Sequence, residues 1–243
     1  MWDITIYFNK TDGACVKNLM LKFHELKFAG FKILTYYAHD YICLEIKATS
    51  NIKQLKNYVQ VLLVEEIVLL KKCQHFEKFI ILDGSSEFGK ALLKSLVFFE
   101  IENDYAYVLN KLDLNKDIVV DSFFEFKCNL LKYKWEELIK LTNSNSKFLN
   151  DKEVYIEFIS FLLSSVSSNC FSVDLTYTNN NYVLQDTINN VTKTIKADNE
   201  EGLISNLIML APKQINVYCV DNISNSAFKL IYKIFNKKVN LLV

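Results

Sequence analysis

The sequence predicts an α+β fold: a small N-terminal α+β unit, a helical middle, and a C-terminal unit that combines a mixed β-sheet with two helices. Two observations predict it. Apolar and polar residues alternate near both ends, which is typical of strands, whereas in the middle apolar residues recur at helical spacing. These changes of pattern place the three regions at 1–50, 51–168 and 169–243. Five glycines and one proline among 243 residues also favour long regular elements and a sizeable core.

The N-terminal unit is predicted to have the order β-α-β-β. The segment DITIYF at 3–8 alternates and predicts the first strand. Gly13 begins a helical pattern that Gly30 closes. Two further strands follow, FKILTYY from Phe31 and DYICLEIKA from Asp40, with a turn between them. This arrangement predicts an antiparallel hairpin after the helix.

The middle of the chain is predicted to be helical. An apolar stripe at helical spacing runs through most of 51–82, and Lys71-Lys72 is the place where a break in that helix would fall. A second helix begins at Glu87, and two more cover roughly 118–141 and 151–166.

The last third is predicted to have the order β-β-β-α-β-α-β. The segments FSVDLTY and YVLQD form strands around an asparagine turn at 179–181, and VTKTIKA forms a third strand. A helix marked by Leu203 ends at Pro212, because proline cannot extend the helical hydrogen-bond ladder. INVYCV is the next strand, Ser224 caps a helix through Phe235, and VNLLV is the final strand. The pattern leaves open whether the two ends of the chain share one sheet.

Charge and composition narrow the range of functions. The formal net charge is zero, and all 28 basic residues are lysine, so the chain has no arginine. Arginine is the preferred side chain for bidentate contacts with phosphate and with guanine. Its absence disfavours sequence-specific DNA recognition and excludes an arginine finger supplied by this chain. Five lysines against Asp221 alone in 202–243 leave weak, non-specific nucleic-acid binding as an alternative function.

The sequence favours a cytoplasmic protein without a membrane partner. The first ten residues, MWDITIYFNK, lack the basic and apolar regions of a signal peptide. The longest uncharged run, near 158–173, is too short and too rich in serine to span a bilayer. The six cysteines are scattered and form no C-x-x-C pair, which predicts free, mostly buried thiols in a reducing compartment. They are Cys15, Cys43, Cys73, Cys128, Cys170 and Cys219.

One stretch, DGSSEFGK, matches the spacing G-x-x-x-x-G-K of a phosphate-binding loop at Gly84, Gly89 and Lys90. Such a loop needs a strand before it and a Ser or Thr after the lysine to bind Mg²⁺. Here Ala91 follows the lysine, and the preceding residues continue the apolar stripe of a helix. The stretch is therefore predicted to be a helix-turn-helix connection, and a nucleotide-binding enzyme that uses 84–90 is the alternative.

No other pattern predicts a catalytic, cofactor-binding or metal-binding residue, and no cofactor is expected. Cys73 and His75 are two positions apart, so a helix would point them to different sides. No local cluster offers the four ligands of a structural zinc site, and no Cys-His pair is singled out as a nucleophile. Adjacent carboxylates such as Glu65-Glu66 are expected to splay apart on a helix.

The C-terminal half resembles a known family. The segment GLISNLIMLAPKQINVY (202–218) has the helix-to-strand joint of the YtxC-like family of sporulation proteins of spore-forming, low-GC Gram-positive bacteria (Firmicutes). The matching positions are Leu203-Ile204, Leu207-Ile208, Leu210-Ala211-Pro212 and Ile215. FFEFKCNLLKYKWEELI (123–139) and EVYIEFISFLLS (153–164) are similar to the family's preceding helices, so the resemblance covers roughly 118–240.

The resemblance implies a cytoplasmic protein connected with endospore formation and implies no catalytic residues. Together with the lack of converging polar motifs, it predicts a sporulation-associated, non-catalytic protein that acts through protein-protein contacts. Such a protein needs an exposed apolar or mixed surface large enough to bind a partner. The identity of the partner and the oligomeric state stay open at the level of the sequence.

Overall fold

A computed structural model describes residues 1–26, 28–80, 87–145, 151–164, 170–186, 192–218 and 225–242. It confirms the predicted α+β class, because helices accompany two mixed sheets. The chain divides into two compact units. Unit 1 comprises Met1–His75 and Glu102–Leu138, and unit 2 comprises Phe76–Ile101 and Ile139–Val243. The predicted N-terminal region, 1–50, lies within unit 1. The predicted C-terminal region, 169–243, lies within unit 2, and the helical middle is divided between the two units.

The described residues contain the following elements. The strands are β1 (Trp2–Asn9), β2 (Phe31–Ala38), β3 (Tyr41–Ala48), β4 (Ile118–Val119), β5 (Cys170–Thr178), β6 (Asn181–Asp186), β7 (Thr192–Lys196), β8 (Pro212–Tyr218) and β9 (Val239–Leu242). The helices are α1 (Gly13–His24), α2 (Ile52–Phe79), α3 (Glu87–Phe98), α4 (Ile101–Leu109), α5 (Val120–Lys127), α6 (Asn129–Ser144), α7 (Lys152–Ser164), α8 (Glu200–Leu210) and α9 (Asn225–Phe235).

The sheet of unit 1 has the strand order β2-β3-β1-β4. The first three strands are antiparallel neighbours, as the β-α-β-β pattern predicts, and β4 pairs with β1 in parallel. On one face of the sheet, Ile4, Ile6 and Phe8 of β1 lie opposite buried residues of β3. Helices α1 and α5 pack against β1. The core of unit 1 therefore lies between the two inner strands and the helices.

The helices of the middle differ from the prediction in three places. Helix α2 continues through Lys71-Lys72 without a break. The region 118–141, predicted as one helix, is a short strand followed by two helices, because Cys128 leaves the helical conformation (φ −113°, ψ 25°). Helix α4 was not predicted from the sequence. Its segment IENDYAYVL mixes charged and apolar residues, and it is positioned by contacts distant in sequence.

The sheet of unit 2 has the order β7-β6-β5-β8-β9 and confirms the predicted β-β-β-α-β-α-β order. Two antiparallel hairpins join β5, β6 and β7, whereas β5, β8 and β9 are parallel and are connected through α8 and α9. The first hairpin turns at Asn179 and Asn180, both with positive φ, a conformation that asparagine tolerates better than most residues. Helix α3 packs on α8, and α7 packs on α9. The described strands of the two ends thus form two separate sheets.

The turn between β2 and β3 gives a direct test of the fold of unit 1. His39 is exposed and has a φ of 50°, which is strained for a side chain but not for glycine. His39→Gly is expected to raise the free energy of unfolding by about 0.5–1 kcal/mol. The matched variant His24→Gly, at the exposed last residue of α1, should lower it by about 0.5 kcal/mol. Urea unfolding followed by tryptophan fluorescence measures both changes, because Trp2 and Trp135 both lie in unit 1. If both variants change the free energy of unfolding in the same direction, the result contradicts the positive φ at His39.

Candidate functional site

The described residues before the G-x-x-x-x-G-K motif are helical as far as Phe79. Helix α2 extends to Phe79, and the amide of Ile80 still donates to the carbonyl of Phe76 at 2.9 Å. Gly84 itself lies outside the described residues, and Gly89 and Lys90 lie in α3. A phosphate-binding loop requires a strand at the position that the end of α2 occupies. The structure therefore does not provide the context that a nucleotide site at 84–90 needs.

Two of the buried thiols are kept neutral. The pKa of Cys15 is raised to about 12, first by burial and then by the charges of Glu66 and Asp12. Burial raises the pKa of Cys128 to about 11. A thiolate, and not a thiol, is the nucleophile of cysteine enzymes, so neither residue is activated at neutral pH. The described cysteines that carry free thiols are Cys15, Cys43, Cys73 and Cys128, and the side chains of the remaining two lie outside the described residues.

Among the described residues, no group of three or more His, Cys, Asp and Glu side chains could hold a metal ion. The adjacent Glu65 and Glu66 behave differently from the expectation that they splay apart. Both carboxylates approach the ammonium group of Lys22, at 3.6 and 2.9 Å. Burial alone would lower the pKa of Lys22, but the hydrogen bond and charge of Glu66 outweigh it and raise the pKa. The pair ties α1 to α2 and does not form an acid-base couple.

A deeply buried ion pair of unit 1 joins Lys72 on α2 to Asp104 on α4. The ammonium nitrogen lies 2.7 Å from Asp104 Oδ2, and each residue is 1% exposed. The indole Nε1 of Trp135 donates to the same oxygen at 3.0 Å. Lys134 Nζ lies 3.7 Å from Asp104 Oδ1. The ring of His75 completes the cluster against Trp135, with ring centroids 5.8 Å apart.

This cluster holds helices together and is not accessible to a substrate. Lys72 and Asp104 are closed off from solvent, so no external molecule can reach them without local unfolding. A second set of contacts holds a neighbouring side of α2. Lys71 pairs with the buried Asp12 at 3.4 Å and with Asp121 of α5, and Gln74 also donates to Asp12. Because both lysines have carboxylate partners, the helix does not break where the sequence placed a break.

Large apolar side chains are exposed on α5 and α6. Three large side chains, Phe126, Leu130 and Tyr133, are 75, 72 and 61% exposed. Leu130 and Tyr133 are three residues apart and lie on one side of α6, and Phe126 lies four residues before Leu130, on α5. An ion pair between Glu125 and Lys132 bridges the interruption at Cys128 and keeps the two helices in register. We call these three side chains the α5–α6 surface.

The α5–α6 surface borders an open groove of about 500 Å³. Phe126 belongs to both, and the groove combines aromatic, lysine and aspartate side chains. Its lining residues are Lys111, Asp113, Lys116, Asp117, Ile118, Val119, Ser122, Phe123, Phe126 and Lys127. We call it the lysine groove.

Lys116 and Lys127 of the groove are available to a ligand, whereas the ammonium group of Lys111 lies 4.9 Å from the ring centroid of Tyr107 and the aspartates are engaged within unit 1. Asp117 accepts a hydrogen bond from the amide of Thr5 at 2.9 Å. Asp113 accepts from the backbone and side-chain amides of Asn115 at 3.0 and 2.6 Å, and these hydrogen bonds lower its pKa. Within the stretches of the chain that the structure describes, no carboxylate lies within 4.0 Å of the ammonium groups of Lys116 and Lys127. The groove can therefore bind a group that joins a negative charge to an apolar side chain.

The sequence contained a signal for this surface. Phe123 and Phe124 are adjacent, as are Leu130 and Leu131, so the segment carries more apolar side chains than one helical face can bury. In the structure Phe124 and Leu131 are buried, and their neighbours are left toward solvent. The buried ion pair had no comparable signal, because Lys72 and Asp104 are 32 residues apart.

Comparisons with known proteins find no relative. No protein-family model matches the chain, and no curated protein and no solved structure matches it. The resemblance to the YtxC-like family therefore rests on the quoted residues alone. Among the described helices, none combines the length and the apolar composition needed to cross a membrane.

Breaking the buried ion pair should destabilise unit 1. Asp104→Asn removes the carboxylate charge that lies 2.7 Å from the buried Lys72 ammonium, and the free energy of unfolding is expected to fall by about 3–5 kcal/mol. Adding Lys72→Met removes that charge and should restore most of the loss. Urea unfolding followed by tryptophan fluorescence measures both effects. The control is Lys10→Met, which removes the exposed 3.9 Å pair with Asp40 and should change stability by less than about 0.5 kcal/mol. If Asp104→Asn proves as stable as the control Lys10→Met, the ion pair is not needed for the stability of unit 1.

The raised pKa of Cys15 predicts an unreactive thiol and a defined pH dependence. At pH 8 only about one molecule in 10⁴ carries the Cys15 thiolate, so iodoacetamide should alkylate this residue only after unfolding. Because the folded pKa lies above the ordinary 9.0, stability is unaffected below pH 9 and falls as the pH rises from about 9 to about 12. Mass spectrometry of alkylated peptides and urea unfolding at these pH values measure the two effects. Cys15→Ser should weaken the pH dependence, and rapid alkylation of native Cys15 would contradict its burial.

Proposed function

We propose that this protein is a sporulation-associated cytoplasmic protein without catalytic activity, which acts by binding a partner protein through the α5–α6 surface. The observation that carries the proposal is the exposure of Phe126 on α5 and of Leu130 and Tyr133 on α6, the helix that follows it. Scattered apolar residues are common on protein surfaces, but a row of three large ones is typical of a binding site. Aromatic side chains of this size commonly supply much of the binding energy of an interface.

The folding of unit 1 does not account for this exposure. The same helices bury Phe124, Leu131 and Trp135, so the core already has its apolar contacts from this segment. Fully burying one further side chain of this size contributes about 1.5–3 kcal/mol. Binding of a partner that covers Phe126 and Leu130 would be stabilised by this burial, which unit 1 alone does not provide.

The lysine groove defines the chemistry of the partner. Lys116 and Lys127 favour a carboxylate-rich segment, and Phe123 and Phe126 favour an apolar side chain within it. An acidic amphipathic helix of another protein carries both. A nucleic acid is a poorer fit, because the chain offers no arginine for bidentate contacts with phosphate.

The connection with sporulation is supported by the resemblance at 118–240. One of the resembling segments, Phe123–Ile139, is the segment that carries the α5–α6 surface. If the protein belongs to a sporulation pathway, this surface is where its partner in that pathway binds.

Variants of the surface and of the groove should lose the partner without unfolding the protein. In the organism that encodes it, Leu130→Ser and Lys127→Glu are each expected to lower the yield of heat-resistant spores about as far as deletion of the gene. Both side chains are exposed, so the circular dichroism of the purified variants should equal that of the natural protein. Affinity capture from sporulating cells should show one retained protein that both variants lose, and salt should weaken its retention.

The matched controls are Leu21→Ser and Lys53→Glu. Both positions are exposed on other helices of unit 1, and both substitutions repeat the same chemical change. These variants should sporulate normally and retain the partner. Normal sporulation of the deletion strain would refute the role in sporulation, and capture that is independent of Leu130 would refute the role of the surface.

A further inference from the structure

Strand β2 is an edge strand without the usual protection. It forms one border of the sheet of unit 1 and pairs on one side only, with β3. Residues 33–38, ILTYYA, contain no charge, proline or glycine, and the register with β3 runs through them without a bulge. Leu34, Tyr36 and Tyr37 are 55, 44 and 76% exposed. Natural proteins usually protect a long edge with lysine, proline, a bulge or a covering element, because an open edge pairs with other chains.

The direction of the free backbone groups follows from the pairing with β3. The amide of Thr49 donates to the carbonyl of Gly30 at 3.3 Å, so this pair is hydrogen-bonded. In an antiparallel ladder, bonded and non-bonded pairs alternate. The residues with even numbers therefore bond to β3, and Ile33, Thr35 and Tyr37 direct their N–H and C=O groups away from the sheet.

We propose that β2 pairs with β2 of a second copy, antiparallel and centred on Thr35, so that the protein is a two-fold dimer. This register places Ile33 opposite Tyr37 and Thr35 opposite Thr35, and all of these residues carry outward backbone groups. Leu34 lies opposite Tyr36 on the other face. Pairs of an aromatic and an aliphatic side chain stabilise neighbouring strands. The only charge of the strand, Lys32, lies opposite Ala38, so the two lysines are at opposite ends of the paired strands.

A cavity beside β2 supports the same occupant. Its volume is about 290 Å³, and Val16, Met20, Thr35, Tyr37 and Ile42 are among its lining residues. Thr35 and Tyr37 share a face with the buried Leu44 and Ile42 of β3, yet both are exposed. The helical layer of unit 1 therefore stops before the edge strand. In the proposed dimer, the uncovered side chains of Thr35 and Tyr37 in one copy lie beside the same side chains of the other copy.

A second copy fits better than an unrelated strand because the edge is complementary to itself. The two strands meet with matched outward hydrogen-bonding groups, without like charges opposite each other, and with a small residue at the two-fold axis. The two four-stranded sheets then become one continuous sheet. The α5–α6 surface uses different residues, so this inference does not depend on the proposed function.

The test uses charges at the two-fold axis. Analytical ultracentrifugation of the full-length natural protein should give twice the chain mass of 28.3 kDa. Thr35→Lys and Thr35→Glu each place like charges opposite each other and should raise the dimer dissociation constant about tenfold or more. An equimolar mixture of the two variants should dimerise again, because lysine then faces glutamate. The control, Thr194→Lys, makes the same change on the exposed edge strand β7 of unit 2 and should leave the dimer intact.

Three results would overturn the proposal. The natural protein could sediment as a monomer. This is also the result expected if β2 pairs with a strand of another protein. The Thr35→Lys protein could remain as dimeric as the Thr194→Lys control, which would place the dimer interface elsewhere. The mixture of the two Thr35 variants could stay monomeric, although circular dichroism shows both to be folded, which would exclude a register centred on this residue.

Discussion

The ion pair between Lys72 and Asp104 is the constraint on which the arrangement of unit 1 depends. It joins α2 to α4, and through the indole of Trp135 it also joins them to α6. Such a pair contributes little net stability compared with apolar residues of the same size, but it penalises any packing that leaves one charge buried alone. It therefore selects one arrangement of three helices. Because α6 carries Leu130 and Tyr133 on the side opposite Trp135, the same contact determines where the exposed side chains point.

The two apolar regions that unit 1 leaves open would recognise their partners by different means. The α5–α6 surface and the lysine groove offer side-chain contacts and charge, so they select a partner by its chemistry. Strand β2 offers mainly backbone hydrogen bonds, whose specificity comes from register and from the residues next to the axis. A dimer formed through β2 would present two α5–α6 surfaces at once. Two linked sites bind a partner that has two copies of its segment far more tightly than one site does. The two proposals are therefore compatible, and each would strengthen the effect of the other.

Local patterns in the sequence were sufficient for β1, β2 and β3 and for the strands of unit 2, but not for β4, which was predicted as part of a helix. Alternation marked β1, β2 and β3, and an asparagine turn marked the hairpin of β5 and β6, because these signals depend on neighbouring residues. The features that the sequence did not predict depend on contacts between distant residues. Lys72 looked like a place where α2 would break, and only its partner on α4 shows why the helix continues. The pairing of β4 with β1 and the break at Cys128 are of the same kind. For the candidate site, the sequence shows adjacent apolar residues at Phe123-Phe124 and at Leu130-Leu131. Packing in the folded protein decides which residue of each pair is exposed.

The distribution of polar groups in unit 1 favours binding over catalysis. Catalytic groups are usually held where a substrate can reach them, with pKa values moved toward the working pH. Here burial moves the pKa of Cys15 and Cys128 away from neutrality, and Lys72 and Asp104 are closed off from solvent. Large apolar side chains reach solvent at Phe126, Leu130 and Tyr133, beside the groove that Lys116 and Lys127 line. Unit 1 thus uses its charged pairs to fix the fold and leaves apolar and basic groups at its surface, and the proposal that the protein binds a partner rests on this arrangement.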